Sequence, residues 1–190
     1  MSTFNQVDVV LTGYVDGSQA SGTVSLIRSV GGRVILVDAG DPWNGDRLVE
    51  GLLEKNIRPS QVTDVVITHG HIDHVGNVSL FKNAKFWMDR DNAERQVGYA
   101  SFDEALLDDG VRLRGWKGHT ERDLVVEVEN TQDGTVIIAG DLFEREDDND
   151  SWRELSRFPE EQETARLCIL KAADWIIPGH GGIFRNSRIS

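Results

Sequence analysis

The chain has 190 residues, of which 39% are hydrophobic, and a formal net charge of −12. This size and composition suit one compact domain, so we expect residues 1–190 to form a single domain. The acidic balance argues against a generally basic surface for nucleic acids or anionic membranes, because phosphate contacts require clustered Lys and Arg. The sequence also lacks a membrane-length apolar run and a secretory-type start, so we expect a cytoplasmic protein without a membrane partner.

Three apolar stretches rich in β-branched residues open the chain and predict a strand meander. They cover residues 7–15, 22–30 and 33–40. Leu48, Val49, Leu52 and Leu53 then recur at helical spacing, which predicts a helix over residues 45–56. The stretch "VTDVVIT" that follows is typical of a strand and leads directly to the first histidine.

The remainder of the chain predicts four more strands, a long helix and a last short strand. The strands cover residues 84–89, 110–116, 123–129 and 134–141, and "NTQDG" predicts a hairpin between the last two. The helix covers residues 159–172, with Ala165, Cys168, Ile169 and Ala172 as its apolar face and Cys168 in the core. The last strand lies within residues 174–182. Hairpins followed by strands mixed with helices indicate a layered α/β or α+β fold in which helices cover sheets.

The segment "THGHIDH", residues 68–74, contains three of the five histidines of the chain. Histidines in a turn can simply be solvated or bonded to the backbone. However, neutral imidazole and carboxylate groups so close together are the donors that a borderline-soft divalent ion needs. The other two histidines follow predicted strands, and Asp141 ends an apolar one. The candidate metal ligands are therefore His69, His71, Asp73, His74, His119, Asp141 and His180.

The motifs "VDAG", "THGHIDH", "GH", "GD" and "PGHG" occur in this order and resemble those of the metallo-β-lactamase superfamily. The resemblance implies a four-layer αβ/βα sandwich. Carried over position by position, it implies one metal held by His69, His71 and His119 and a second held by Asp73, His74 and His180. It further implies that Asp141 bridges the two metals and that Asp38 steadies the ligands from behind.

This ligand set predicts a metal-dependent hydrolase. Two divalent ions, zinc above all, with iron or manganese as alternatives, could share a hydroxide and lower the pKa of its parent water. Asp73 and Asp141 are the candidate catalytic carboxylates. The acidic run at residues 144–150 is interpreted as a solvated loop, although Glu144 and Asp73 are also candidate proton donors.

Residues 40–43, 140–152 and 178–185 are most similar to the metallo-β-lactamase domain-containing protein 1 group. That resemblance implies an endoribonuclease for histone pre-mRNA 3′ ends, a homodimer, and location in the cytosol and nucleus. All five histidines are candidate ligands, so none is spare to protonate an RNA leaving group, whereas a thiolate barely needs a proton. A thioester hydrolase like glyoxalase II therefore stays an alternative, and an iron persulfide dioxygenase is a third. The substrate is RNA or a small molecule.

The stretch "RLRGWKGH" could place cations and a stacking ring beside His119. A half-exposed strand with solvated charges shows the same alternation. Trp43, in a loop expected to border the site, could also shape a substrate cleft. The candidate substrate contacts are Trp43, Arg112, Arg114, Trp116 and Lys117.

Overall fold

Two β-sheets face each other in the computed structural model, which describes residues 3–187. The first sheet has seven strands in the order β1-β4-β5-β6-β7-β8-β9. Its strands β1, β4 and β5 pair antiparallel, whereas β5, β6 and β7 run parallel. The strands of this sheet are β1 (Gln6–Leu11), β4 (Val24–Arg28), β5 (Val34–Val37), β6 (Asp64–Ile67), β7 (Lys85–Met88), β8 (Asp91–Glu94) and β9 (Gly98–Ser101). A separate ribbon, β2 (Tyr14–Asp16) with β3 (Gln19–Ser21), separates β1 from β4.

The second sheet has six strands in the order β10-β11-β12-β13-β14-β15. Its pairs are antiparallel except for β13 and β14, which run parallel. The predicted hairpin joins β12 to β13 and is confirmed, with two residues between the strands. The strands of this sheet are β10 (Glu104–Asp108), β11 (Val111–Trp116), β12 (Asp123–Thr131), β13 (Gly134–Gly140), β14 (Trp175–Pro178) and β15 (Phe184–Arg185).

Two long helices cover the outer faces of the sheets. They are α1 (Gly45–Glu54) and α4 (Pro159–Ala172), which agree with the predicted helices. The shorter helices are α2 (Ile72–Val75), α3 (Trp152–Leu155) and the 3₁₀ turns Pro59–Gln61 and Val78–Leu80. Within residues 3–187, no helix has both the length and the apolarity to cross a membrane.

Apolar side chains fill three layers, which gives the four-layer αβ/βα sandwich. Ile35 and Ile138 lie in the layer between the sheets. Leu36 of β5 points the other way, toward Leu48 of α1, while Ile169 of α4 packs on the outer face of the second sheet. Strands buried on both faces explain continuous apolar runs such as "VILV", because both alternating sets of side chains are covered. The predicted fold class is confirmed.

The structure corrects several expectations about local elements. Strands β8 to β10 were not predicted, because segments such as "DNAE" and "GYAS" are largely exposed and carry no apolar alternation. Cys168 is exposed, so the prediction that it packs in the core was wrong. Helix α4 instead buries Gln162, Ala165, Arg166 and Ile169, and this face leaves Cys168 and Ala172 on the outside.

The acidic run at residues 144–150 is only partly a solvated loop, since Glu144 and Asp148 are buried. Asp148 accepts two hydrogen bonds from the guanidinium of Arg166, at 2.7 and 2.8 Å. Arg166 also donates to the carbonyl of Leu142 at 2.7 Å and stacks on the ring of Phe143. A buried ion pair with its remaining polar atoms satisfied therefore ties α4 to the loop after β13.

We predict that Arg166→Met lowers the free energy of unfolding by about 3–5 kcal/mol, because Asp148 would stay buried without its cation. Urea denaturation followed by circular dichroism measures this change. As the control, Arg90→Met removes an arginine from an exposed pair with Asp103 and should have little effect. Equal stabilities of the two variants would contradict the importance of the buried pair.

Candidate metal centre

The candidate ligands lie in loops at one edge of the sandwich. Parallel strands β5 and β6 deliver Asp38 and His69 to this edge, and parallel strands β13 and β14 deliver Asp141 and His180. Strand β11, two antiparallel steps from β13, runs in the same direction as β13 and ends shortly before His119. The topology thus gathers residues that are more than 100 positions apart in the sequence.

The first cluster consists of His69, His71, His119 and Asp141, whose ligand atoms lie within 4.8 Å of one another. Nδ1 of His71 is 2.9 Å from Nε2 of His69 and 3.1 Å from Nε2 of His119. Oδ2 of Asp141 is 3.5 Å from Nε2 of His69 and 3.3 Å from Nε2 of His119. Four donor atoms therefore face one small space.

The second cluster consists of Asp73, His74 and His180. Oδ2 of Asp73 is 3.7 Å from Nε2 of both histidines. Asp141 also reaches this cluster, with Oδ1 at 3.2 Å from Nε2 of His74 and Oδ2 at 3.4 Å from Nε2 of His180. The Asp141 carboxylate thus lies between the two clusters.

The donor sets fit divalent metal ions. Four ligands at about 2.0–2.1 Å from a tetrahedral ion lie about 3.3 Å apart, and the separations of the first cluster are close to this value. In addition, Nε2 of His74 and Oδ1 of Asp141 are buried and lack a hydrogen-bond partner within residues 3–187. Buried polar atoms are normally paired, so these two are suited to a cation. The fold and the clusters together indicate divalent metal binding.

Hydrogen bonds behind the rings orient three of the histidines. Nδ1 of His74 lies 2.7 Å from Oδ2 of Asp38, and Nδ1 of His180 donates to the carbonyl of Ser21 at 3.1 Å. Nδ1 of His69 lies 3.1 Å from the hydroxyl of Thr68, which itself donates to Asp38 at 2.8 Å. Such partners fix the tautomer that leaves Nε2 free to bind a metal. Asp38 thus contacts His74 directly and is linked to His69 through Thr68.

Electrostatics differ between the two clusters. Burial lowers the pKa of His69 well below its usual value and that of His119 to about 4. Burial also acts on His74, but the carboxylates of Asp141 and Asp38 outweigh it and raise the pKa of His74. Asp141 likewise raises the pKa of His180 against the effect of burial. Burial would raise the pKa of Asp141, but His74 and His69 hold it well below the ordinary range.

Glycines make room for the clusters at two positions. A Cβ at Gly179 would overlap Oδ1 of Asp141, and a Cβ at Gly22 would lie 2.7 Å from Nδ1 of His74. The glycine before His180 in "PGHG" is therefore required by the close approach of Asp141.

Glu144 is a further candidate ligand that the sequence analysis had considered only as a proton donor. It forms a third group with Asp141 and His180, and its Oε1 is 3.6 Å from Nδ1 of His119. Burial and the nearby Asp141 raise its pKa to about 8. The sequence did not indicate Glu144 as a ligand, because it belongs to an acidic run and such runs are usually exposed.

The predicted substrate contacts are spread over different surfaces. Trp43 is 85% exposed and, together with Asp73, lines a groove of about 610 Å³ beside the second cluster. Lys117 lies 3.6 Å from Glu161 and over the ring of Phe158.

Arg112, Arg114 and Trp116 alternate with the inward-facing Val111 and Leu113 along β11. Trp116 packs against the apolar layer under α4, and Arg114 lies 3.8 Å from Glu104 and 3.7 Å from Glu127. These three residues face away from the layer between the sheets and are not brought into either cluster. Their role in substrate binding stays a prediction.

Two arginines that the sequence analysis missed lie close to the first cluster. Arg122 and Arg157 line a groove of about 260 Å³ whose wall includes His69 and His71. Arg122 precedes β12 and Arg157 lies between α3 and α4. No motif marks either residue, because only the tertiary fold brings these loops to the clusters.

Comparisons with known proteins agree with this geometry. The family model described as "Metallo-beta-lactamase superfamily" matches residues 18–90. Metallo-beta-lactamase domain-containing protein 1 of Xenopus laevis is 44% identical over 193 residues, which cover 95% of this chain and 82% of the frog protein. The chain belongs to the metallo-beta-lactamase superfamily. The predicted similarity to the domain-containing protein 1 group is confirmed.

The Homo sapiens protein of the same name is 41% identical over 157 residues, which cover 80% of this chain and 59% of the human protein. A crystal structure of a mutant of B. thuringiensis AiiA with bound N-decanoyl-L-homoserine matches with a TM-score of 0.68 and 16% sequence identity. The match covers 94% of this chain and 92% of the AiiA chain. That likeness concerns the fold alone. Membership of the superfamily and the clustered ligands support a metal-dependent hydrolase.

We predict that Asp38→Asn weakens metal binding at the second cluster about 10–100-fold. Asn tolerates the left-handed backbone of position 38, with a φ of 63°, so the loop should be preserved. The amide nitrogen of Asn, however, would face either the backbone N–H of Thr68 or the Thr68 hydroxyl and the His74 ring, so one of these hydrogen bonds to position 38 would be lost in either orientation. Competition with a chelator measures the affinity.

Asp41→Asn is the matched control, because the Asp41 carboxylate accepts from the backbone of Trp43 and not from a histidine. An unchanged affinity in Asp38→Asn would exclude the orienting role of Asp38.

The pKa directions predict the order in which acid releases metal. A raised pKa means that protons compete with a cation at higher pH, so His74 and His180 should lose their metal before His69 and His119. His180→Ala should retain the first cluster, and His119→Ala should retain the second. Zinc titrations of the two metal-free variants at about pH 7.5 and about pH 6 should therefore show that His119→Ala loses more affinity on acidification. A greater loss in His180→Ala would contradict the assignment.

Proposed function

We propose that the chain is an endoribonuclease whose two clusters would hold two zinc ions, with the carboxylate of Asp141 shared between them. The observation that carries the proposal is the position of the Asp141 carboxylate, whose oxygens lie 3.2 to 3.5 Å from four imidazole nitrogens of both clusters. A pair of bound zinc ions would supply an activated hydroxide and stabilise negative charge on the attacked group.

The residues of the chain would hold and orient this centre. His69, His71 and His119 would hold one ion, while Asp73, His74 and His180 would hold the other. Asp38 and the carbonyl of Ser21 keep the rings of His74 and His180 in place. Asp73 is half-buried beside the open groove, and its Oδ2 faces the two histidines, so its other carboxylate oxygen is the candidate to pass a proton to a leaving group.

Two surface features support RNA as the substrate. The exposed ring of Trp43 lies beside Asp73, where a base could stack on it. On the other side, the exposed Arg157 lines the same groove as His71, where a backbone phosphate could be neutralised. A single strand crossing the centre would touch both walls. We propose, on the resemblance to the domain-containing protein 1 group, that the RNA is histone pre-mRNA and that the enzyme acts as a homodimer in the cytosol and nucleus.

A thioester hydrolase is the second candidate, and one observation favours it. All five imidazoles of the chain belong to the two clusters, so the leaving group must depart without help from a free histidine. A thiolate can do so, because it is stable without a proton at neutral pH, whereas an alkoxide cannot.

One preparation can be tested against both substrates. We expect cleavage of single-stranded RNA and little hydrolysis of S-lactoylglutathione. His119→Ala and Asp141→Ala should lower RNA cleavage by at least about 100-fold, because each loses a ligand of the first ion. His71→Ala detects contaminating ribonuclease, and RNA cleavage that persists in it would refute the proposal.

The metal content distinguishes the reaction classes. About two zinc equivalents in protein purified without added metal support the hydrolase, while one iron supports the persulfide dioxygenase. Thioester hydrolysis with two zinc ions and no RNA cleavage would favour the second candidate.

A further inference from the structure

The turn between α3 and α4 is hydrogen-bonded to the loop that carries a candidate metal ligand. The hydroxyl of Ser156 donates to the carbonyl of Gly118 at 3.1 Å, and the backbone of Phe158 donates to the same carbonyl at 2.9 Å. Between them, the backbone of Arg157 donates to the carbonyl of His119 at 3.3 Å. These three bonds fix the main chain of Arg157 relative to His119.

Arg157 lines a groove beside the first cluster. This groove has a volume of about 260 Å³, and His69 and His71 form part of its wall. Arg157 is exposed, and its guanidinium has no hydrogen-bond or ion-pair partner among residues 3–187. It is therefore a cation at the mouth of the centre whose donors are available to a ligand.

The other arginine of this groove is engaged by the fold. Nε of Arg122 donates to the carbonyl of Asp89 at 2.9 Å, and its Nη2 donates to the carbonyl of Asp103 at 2.6 Å. Its side chain is only 10% exposed. Arg122 therefore holds neighbouring loops together, and Arg157 is the better placed of the two to meet a substrate.

The charge of the chain makes this single cation important. At a net charge of −12, the protein repels a polyanion, so binding requires local positive charge. A guanidinium presents two parallel N–H donors that match two oxygens of a phosphate. We propose that Arg157 binds the RNA phosphate next to the one that is cleaved and so sets the register of the strand on the metals. This inference rests on the proposed endoribonuclease activity.

Steady-state cleavage of a short single-stranded RNA by Arg157→Ala, Arg157→Lys and wild type tests this role. We expect Arg157→Ala to raise KM about tenfold with little change in kcat, because it removes one charged hydrogen-bonding contact. Its salt dependence should weaken by about 0.7 in the slope of log(kcat/KM) against log[salt], the value for one phosphate of a single strand. Arg157→Lys should have the salt slope of wild type, because the charge is kept, but its KM should lie between those of wild type and Arg157→Ala.

Arg95→Ala is the matched control, since Arg95 lines a groove formed by β8, β9 and the turn between them. It removes the same charge from a different surface and should leave KM and the salt slope unchanged. If wild type cleaves RNA and the two alanine variants behave alike, the inference is overturned while the proposed function stands.

Fluorescence anisotropy of the labelled RNA adds a measurement that does not require cleavage. The His71→Ala variant serves as a background without turnover, and Arg157→Ala in that background should raise Kd about tenfold relative to Arg95→Ala. If wild type fails to cleave RNA, the proposed function fails and the register of the strand on the metals fails with it. Equal Kd values for the two variants would, in addition, overturn the phosphate contact of Arg157.

Discussion

The crowding of imidazole and carboxylate groups at one edge of the sandwich is the constraint on which the other features depend. Asp141 is buried, and a buried carboxylate is costly unless positive charge or hydrogen bonds compensate it. The rings of His69, His74, His119 and His180 surround it, yet Nε2 of His74 and Oδ1 of Asp141 remain without hydrogen-bond partners within residues 3–187. A cation held between these atoms would resolve the conflict between burial and charge.

The two sheets make this crowding possible because apolar layers cover both of their faces. Ile35 and Ile138 fill the space between the sheets, and α1 and α4 cover the outside. The loops can therefore hold polar groups at the edge without opening the core to water. The Arg166–Asp148 pair fixes the loop after β13 to helix α4. In this loop the backbone N–H of Glu144 donates to Asp148 at 3.0 Å.

The sequence predicted the parts of the fold that depend on strong local patterns. The helices of residues 45–54 and 159–172 have clear boundaries, and the apolar runs of β4 to β6 are strands. The candidate metal ligands could be named because histidine is scarce in the chain and glycine flanks His119 and His180.

Other features could not be predicted, because they depend on tertiary contacts. Cys168 lies among apolar neighbours in the sequence, but the rotation of α4 turns it outward. Glu144 and Arg157 acquire their positions only when distant loops meet at the edge of the sheets.

The two grooves beside the clusters are lined largely by segments of the chain that do not carry the candidate metal ligands. Apart from the ligands themselves, the grooves are lined mainly by the β2–β3 ribbon, the segment around Trp43, the end of β7 and the turns that carry Arg122 and Arg157. These segments can diverge without displacing the strands that deliver the histidines. Evolution can therefore retain one inherited reaction centre and alter recognition around it.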